Sequence, residues 1–543
     1  MSRTVGESLP FLLKDLGVDT VFGLPGVHTL EFFRAMDRSG IRHVGVRHEQ
    51  GAGFMADGYA RSSGRPGVCL VISGPGVTNV ATPLGQAYSD SIPVLALSSV
   101  NAMGDFGMGR GMLHEMTDQR AATAPITALS ATAYSPDQVP VLLERAFALF
   151  TSTRPRPNHI AFPLDLLPQP ATARAVKPPR LSPPGPAPEQ ITELAQLIKA
   201  ARQPVLIAGG GALHAGPEIV ELAERLGMPV VTSIAAKGVI ADDHSLSLST
   251  TLQRAETRQL IAAADLVIVL GSELSEPDLY VTADSEKTGG SDALVHGKLT
   301  VKGKFARIDI DPAILSGDQP LDLGILADSA LSLRALLALL PAGKAPARHD
   351  IAALRRRMRE AVTPLEAKHI KVLDAVRAAL PDDGFVVGDM TQIAYTGCVH
   401  YQTQRPRTWF FPMGYGTMGY ALPAAIGAKL ATPERPGVVL AGDGGLLFTV
   451  QEFATAVELE LPLAIVLWNN DGLGEIKDFM QARGLPLISV KPRNPDFLAL
   501  ARSFGCDAER PASLADLQAA IAGAFIKKKP TLIEVREDAA YLA

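Results

Sequence analysis

Two oxygen-bearing side chains stand out for the way the sequence frames them. Asp443 lies between Gly442 and Gly444 in GVVLAGDGG, and Asn470 closes LAIVLWNN, with 26 residues between the two. Each directly follows an apolar, β-branched run that reads as a buried strand. Between them Phe453, Ala454, Val457 and Leu461 keep helical spacing, and Pro462 stops the helix. A strand–helix–strand crossover is right-handed and makes its strands parallel. Both tips then open on one sheet edge, the edge where open α/β sheets bind ligands. A carboxylate and an amide, with no His or Cys close by in sequence, suit a hard cation such as Mg²⁺. Gly442, Gly444 and Gly445 leave backbone N–H groups free to face phosphate. The ligand these residues predict is a metal-bridged diphosphate.

The elements that must position these tips run along the whole chain. Its 543 residues exceed one compact core, and two stretches, 171–190 and 341–350, read as linkers. They set off three units of 1–170, 187–342 and 351–543. Each alternates short β-branched runs, glycine turns and helical patterns, so the predicted class is α/β, with a parallel sheet flanked by helices in every unit. The outer units share a quasi-repeat: VCLVISGPG is followed by IPVLALSS as GVVLAGDGG is followed by LPLAIVLWNN. The net charge of −5 gives no argument for a nucleic-acid surface. No apolar run is long enough to span a bilayer, and Glu7, Lys14 and Asp15 interrupt the N-terminal apolar stretch, against a signal peptide. Three scattered cysteines, Cys69, Cys398 and Cys506, fit a reducing cytoplasm.

Gly-Asp-Gly, 24 residues, then Asn-Asn resembles the signature of thiamine-diphosphate-dependent enzymes. The likeness extends over the whole chain to the decarboxylase and acetolactate-synthase branch, whose three domains are pyrimidine-binding, central and diphosphate-binding. It implies that Asp443, the Asn470 side chain and the Gly472 carbonyl hold Mg²⁺. Through HEQGAGFMADGYAR it implies that Glu49 is the acid that hydrogen-bonds the aminopyrimidine; on its own this residue also reads as a first-turn Glu favoured by a helix dipole. In GYGTMGYALPAAIGAKLA, Met418 takes the position of the wedge beneath the folded cofactor, with the Gly416 carbonyl at the pyrimidine. GDMTQ implies a second phosphate contact through Thr391 and Gln392, and Leu473 joins the cofactor contacts. SGPGVTN and GLPG resemble first-domain loops, so Leu24, Val27 and Ile72 are expected at the substrate end. The likeness also implies a cofactor held between two chains of a homodimer or homotetramer.

The branch is read from fewer residues. GMLHEMTDQ puts His114 in the loop that approaches the cofactor, as a proton shuttle or a structural histidine, with Gln119 beside it. Six positions past Asn470, where decarboxylases of the pyruvate type carry a glutamate, stands Ile476, and Glu475 lies one earlier. Such a step turns a helical side chain by about 100°. AGGGALHAG lacks the third glycine of a dinucleotide fingerprint, His214 taking its place, so FAD is not expected. LHEMTDQ, GDMTQIAYTG and WNNDGLGEIKDFM are most similar to enzymes grouped with 5-guanidino-2-oxopentanoate decarboxylase. The implied activity is non-oxidative decarboxylation of a 2-oxo acid through an enamine, with Glu475 or Glu115 available to a cationic side chain. The alternatives are an acetolactate-synthase-like carboligase and a cofactor-binding paralogue without catalysis.

Overall fold

A computed structural model describes residues 3–172, 174–177, 180–279, 299–317 and 319–543. Among them three sheets form, and every strand pair within the sheets is parallel. The first contains β1 (Thr20–Gly23), β2 (Arg42–Gly45), β3 (Gly67–Val71), β4 (Val94–Val100), β5 (Leu129–Thr132) and β6 (Asn158–Pro163), in the order β2-β1-β3-β4-β6-β5. The second contains β7 (Pro204–Ala208), β8 (Val230–Thr232), β9 (Leu266–Leu270), β10 (Lys304–Asp309) and β11 (Leu323–Leu326), in the order β11-β10-β9-β7-β8. The third contains β12 (Phe385–Gly388), β13 (Trp409–Phe410), β14 (Gly437–Gly442), β15 (Leu463–Asn469), β16 (Asp507–Glu509) and β17 (Thr531–Arg536), in the order β13-β12-β14-β15-β17-β16.

Counted from its own first strand, the third sheet repeats the order of the first, which is the architectural content of the sequence quasi-repeat. The α/β class with three parallel sheets is as the strand pattern predicts. β14 and β15 are buried along their full lengths, the expected fate of a continuous apolar run covered by helices on both faces. In the third sheet the chain turns to opposite sides after β12, and β14 pairs with β12. The tips of β12 and β14 therefore flank a topological switch point, where a crevice opens, and the tip of β15 lies next to that of β14.

Two helices join the outer units. α1 (Glu49–Ser63) packs on α2 (Pro75–Ser89) and on a later helix, Ala421–Ala431, here α4; α3 (Gln392–His400) follows β12. A Cβ on Gly58 would lie 1.9 Å from the Ala424 carbonyl oxygen, and one on Gly427 would lie 1.9 Å from that of Met55. Only glycine lets these backbones come so close. Around the same contact Arg61 pairs with Asp57 and Asp90 at 2.6 Å each, and the Tyr420 hydroxyl donates to Asp57 at 2.7 Å. Asp57 and Tyr420 are fully buried and the Arg61 and Asp90 side chains nearly so, and one guanidinium serves both carboxylates in place of water.

Candidate functional site

β14 ends at Gly442, and Asp443 opens a one-turn helix, α5 (Asp443–Leu446). β15 ends at Asn469, and the chain turns through Asp471 (φ +57°) and Gly472 (φ +156°) before α7 (Gly474–Ala482); α6 (Glu452–Glu458) is the crossover helix. The turn sends the Gly472 N–H to Asp443 Oδ2 at 2.9 Å. A side chain at Gly472 would meet the Val490 carbonyl oxygen at 2.3 Å. Asn494 Nδ2 also donates to Asp443 Oδ2, at 2.6 Å.

The other carboxylate oxygen has different company. Asn470 Oδ1 lies 3.2 Å from Asp443 Oδ1 and 2.7 Å from the Gly472 carbonyl oxygen, while Asn470 Nδ2 donates away from them, to Gln392 Oε1 at 3.1 Å. In this orientation of the amide three acceptor oxygens converge without a proton between them; in the turned orientation the Asn470 nitrogen would donate to the other two. Ligands about 2.1 Å from an octahedral Mg²⁺ lie about 3.0 Å from one another, so the spacing and the all-oxygen donor set fit that ion. Among the described residues no group of three or more His, Cys, Asp or Glu side chains could hold a metal; a set of one carboxylate, one amide and one carbonyl is not of that kind. Asp443 is 2 % exposed, and burial raises its carboxyl pKa against the pull of the bonds from Asn494 and Gly472.

The glycines beside Asp443 are pressed by the residues expected at the cofactor. A Cβ on Gly442 would come within 2.7 Å of Thr391 Oγ1, and one on Gly444 within 2.9 Å of Leu473 Cδ2 and 3.7 Å of Met418 Cε. Thr391, Leu473 and Met418 therefore gather around the turn at Asp443. Gly416 (φ +66°) and Gly419 (φ +80°) bend the chain on either side of Met418. That loop is pinned at three points. Thr417 Oγ1 donates to Gln86 Oε1 at 2.8 Å, the Gly419 N–H donates to Asp389 Oδ1 at 2.9 Å, and Thr449 Oγ1 donates to the Gly419 carbonyl at 2.7 Å. Asp389, buried at the tip of β12, is pushed up to about 6 by burial.

Glu49 is the first residue of α1, and His48 caps that helix through Nδ1. Asn79 Nδ2 donates to Glu49 Oε2 at 3.0 Å, and Oε1 lies against the small face of Gly76. Under the same helix start sits a carboxylate from the third sheet's unit. Glu452 Oε1 accepts from the N–H groups of Arg47 and His48, at 3.1 Å each, and a Cβ on Gly51 would lie 2.4 Å from that oxygen.

At the expected substrate end, Leu24 and Val27 are exposed, Val27 by 63 %, and Ile72 is half-buried against Gly26. His114 adopts φ +60°, costly for a residue with a Cβ, and its Nδ1 is buried without a hydrogen-bond partner. Its ring stands edge to face with His28, 5.0 Å between centroids, and His28 Nδ1 lies 2.6 Å from Ser73 Oγ. Burial, then the neighbouring His114, lower the His28 pKa.

Three of the expected site residues are hydrogen-bonded to protein partners. Gln119 is buried beneath the strand tip: its Nε2 donates to Ser98 Oγ and the Ser99 carbonyl, and its Oε1 accepts from Gly74 N–H. Gln392 turns both ends of its amide to protein partners. Glu475 faces inward to Gln392 at 3.2 Å while Ile476 points outward, the result of a one-residue offset on α7. The sequence reading missed Asp389, Glu452, His28 and Asn494. The Gly388-Asp389 pair repeats the Gly442-Asp443 pair at a neighbouring strand tip, a signal that points to Asp389. Nothing local marks Asn494, which lies in an aperiodic stretch.

Comparison over the whole chain shows its family. The chain belongs to the thiamine pyrophosphate enzyme family: models of the N-terminal TPP-binding, central and C-terminal TPP-binding domains match residues 3–122, 191–336 and 389–535. It is 49 % identical to a probable 2-ketoarginine decarboxylase, AruI, of Pseudomonas aeruginosa, over 98 % of this chain and 94 % of that one. It is 32 % identical to the acetolactate synthase isozyme 1 large subunit of Escherichia coli, over 99 % and 94 %. With the acetolactate synthase large subunit IlvB1 of Mycobacterium tuberculosis it shares 34 %, over 91 % and 81 %. The protein is a thiamine-diphosphate-dependent decarboxylase or carboligase. Among the described residues no helix is long and apolar enough to cross a membrane.

Proposed function

We propose that the chain is a Mg²⁺- and thiamine-diphosphate-dependent, non-oxidative decarboxylase of a 2-oxo acid with a cationic, guanidino-type side chain. The convergence of Asp443 Oδ1, Asn470 Oδ1 and the Gly472 carbonyl carries the cofactor half of this reading. In it these oxygens hold the cation that neutralises the diphosphate, with Thr391 and the N–H groups of Gly444 and Gly445 around the phosphates. Met418 and the Gly416 carbonyl orient the pyrimidine end. Bound thiamine diphosphate supplies a sink for the electron pair left when CO₂ departs. Glu49 exchanges a proton through Oε1, the carboxylate oxygen not taken by Asn79. His114 Nδ1, unpartnered in the protein, donates or accepts a proton at the substrate end, with His28 beside it.

The likeness to the 2-ketoarginine decarboxylase supports a guanidino substrate, because it far exceeds the likeness to the acetolactate synthases. Glu475 and Asp478 add physical support. Their carboxylates share Gln392 Nε2 at 3.2 Å each, and Lys477 Nζ lies 3.9 Å from Asp478, so two carboxylates face one nearby cation beside the exposed Ile476. The exposed apolar side chains Leu24, Val27 and Leu30, near one strand tip, and Leu447 and Phe448, beside Asp443, support a second copy completing the site in a homodimer or homotetramer.

The test is a panel of 2-oxo acids with Mg²⁺ and thiamine diphosphate, scored for CO₂, aldehyde and carbon–carbon bond formation. The reading expects CO₂ and aldehyde from 5-guanidino-2-oxopentanoate at a kcat/KM well above that for pyruvate. An acetohydroxy acid from pyruvate as the main product would install the second reading, a carboligase, which the synthase relatives favour.

A further inference from the structure

We propose that Gln392 is a positioning residue: it fixes the Asn470 amide so that oxygen, not nitrogen, faces Asp443 and Gly472. The inference rests on the cation site proposed above. Its argument starts from what carboxylates can do. Glu475 Oε2 and Asp478 Oδ2 each lie 3.2 Å from Gln392 Nε2, and ionised carboxylates only accept. The nitrogen of Gln392 therefore points at them, and its Oε1 points the other way, 3.1 Å from Asn470 Nδ2. Asn470 must give its nitrogen to Gln392, which leaves Oδ1 among the oxygens of Asp443 and Gly472.

The alternative state shows what this arrangement opposes. Turned over, the Asn470 amide would donate to Asp443 Oδ1 at 3.2 Å and to the Gly472 carbonyl at 2.7 Å. Without a cation that state is self-satisfied, and it presents a nitrogen where the ion needs an oxygen. It also sets Asn470 Oδ1 and Gln392 Oε1 3.1 Å apart, oxygen against oxygen. Turning Gln392 to relieve that contact would aim its oxygen at two carboxylates. The relay from Glu475 and Asp478 through Gln392 thus disfavours the turned state before any ion arrives. Cation affinity falls by whatever fraction of the chain occupies the incompetent state.

A glycine keeps the relay open. A Cβ on Gly474 would lie 2.3 Å from Asn470 Nδ2 and 2.6 Å from Gln392 Oε1, on top of the bond itself. Gly474 lies in the first turn of α7 without a positive φ, where alanine is the better helix former. Its smallness serves the side-chain bond, not the backbone.

The experiment titrates Mg²⁺ calorimetrically into the full chain in the presence of thiamine diphosphate, and measures melting with and without both. Gln392→Met and Gly474→Ala are each expected to weaken Mg²⁺ about tenfold, the usual cost of losing a partner that orients a metal ligand. The melting temperature without ligands should stay at or above the parent value for Gly474→Ala, and the stabilisation by Mg²⁺ and thiamine diphosphate should shrink in both variants. Glu475→Gln, which gives Gln392 a neighbour able to donate as well as accept while Asp478 still only accepts, should weaken Mg²⁺ less than Gln392→Met does. The double variant Gln392→Met/Gly474→Ala should be no weaker than the weaker single variant, because both break one bond. Parent-like Mg²⁺ affinity in both single variants would overturn the positioning role and leave the cation site standing. No Mg²⁺ uptake by the parent chain, or uptake unchanged by Asp443→Ala, would overturn both.

Discussion

His28 and His114 are 86 positions apart in sequence, yet their rings meet edge to face with 5.0 Å between centroids. The left-handed backbone of His114 and the Ser73 contact of His28 hold that pairing, and Gly74, also left-handed at φ +63°, packs against the His114 carbonyl. Strain held at an unpartnered imidazole nitrogen is the kind that surrounding structure preserves for chemistry. His114→Ala should lower kcat by about 10²-fold, in the range for a lost proton-transfer group. His28→Asn should lower it by less and shift the pH profile. Equal turnover by His114→Ala and the parent would remove the histidine from the mechanism.

Asp443 should show a trade between stability and function. Its carboxylate is buried, its pKa is raised by that burial, and Oδ1 faces Asn470 Oδ1. In Asp443→Asn the charge disappears and an NH₂ can donate to Asn470 Oδ1. The ligand-free protein should melt higher than the parent, while the increment from Mg²⁺ and thiamine diphosphate is lost. Thermal scans with and without ligands read both effects.

Glu49→Gln keeps the shape of the side chain and its contact with Asn79. Turnover should fall by at least about 10²-fold, with Mg²⁺ affinity unchanged because the cation ligands lie elsewhere. A Glu49→Gln enzyme with parent turnover would show that this carboxylate moves no proton.

The contact between α1 and α4 should be intolerant of any Cβ. Gly58→Ala and Gly427→Ala each put a carbon 1.9 Å from a carbonyl oxygen of the facing backbone. Neither glycine has a positive φ, so the cost is overpacking alone, about 3 kcal/mol in chemical denaturation.

Acid stability should follow histidines whose pKa burial pushes far down: His159 to about 4, and His369 and His400 to about 3. The His159 ring takes Ser98 and Thr123 at 2.8 and 2.9 Å as a neutral group. Between pH 4 and the ordinary histidine value of 6.5 the unfolded chain binds more protons, so stability rises with pH across that window and is lost on acidification. Asp389, held near 6, works oppositely between 3.8 and 6, since the folded chain binds the proton there. His159→Gln should therefore reduce the loss of stability between pH 6.5 and 4, and Asp389→Asn should enlarge it.

Much of this was legible because periodicity and strand tips are local properties. The apolar runs that became β14 and β15, and the glycines around Asp443, announce themselves within ten residues. The repeated strand order of the outer sheets was visible only as a quasi-repeat, since strand neighbours are chosen by tertiary packing. The side-chain relay was not legible at all. Gln392, Asn470 and Glu475 come from different elements, and which way each amide points depends on distances that no spacing rule supplies. Glu475 shows the limit most clearly: the sequence located the helix and the one-residue offset, and packing decided that the carboxylate turns inward to Gln392.

The central claim is that the Asp443, Asn470 and Gly472 oxygens hold a divalent ion carrying a diphosphate. The most direct measurement is a crystal structure with thiamine diphosphate and Mn²⁺ in place of Mg²⁺, with Mn²⁺ located by its anomalous signal. The account predicts one peak within about 2.5 Å of all three oxygens and in contact with diphosphate oxygens. A peak elsewhere, or diphosphate bound with no ion between these three atoms, would contradict it.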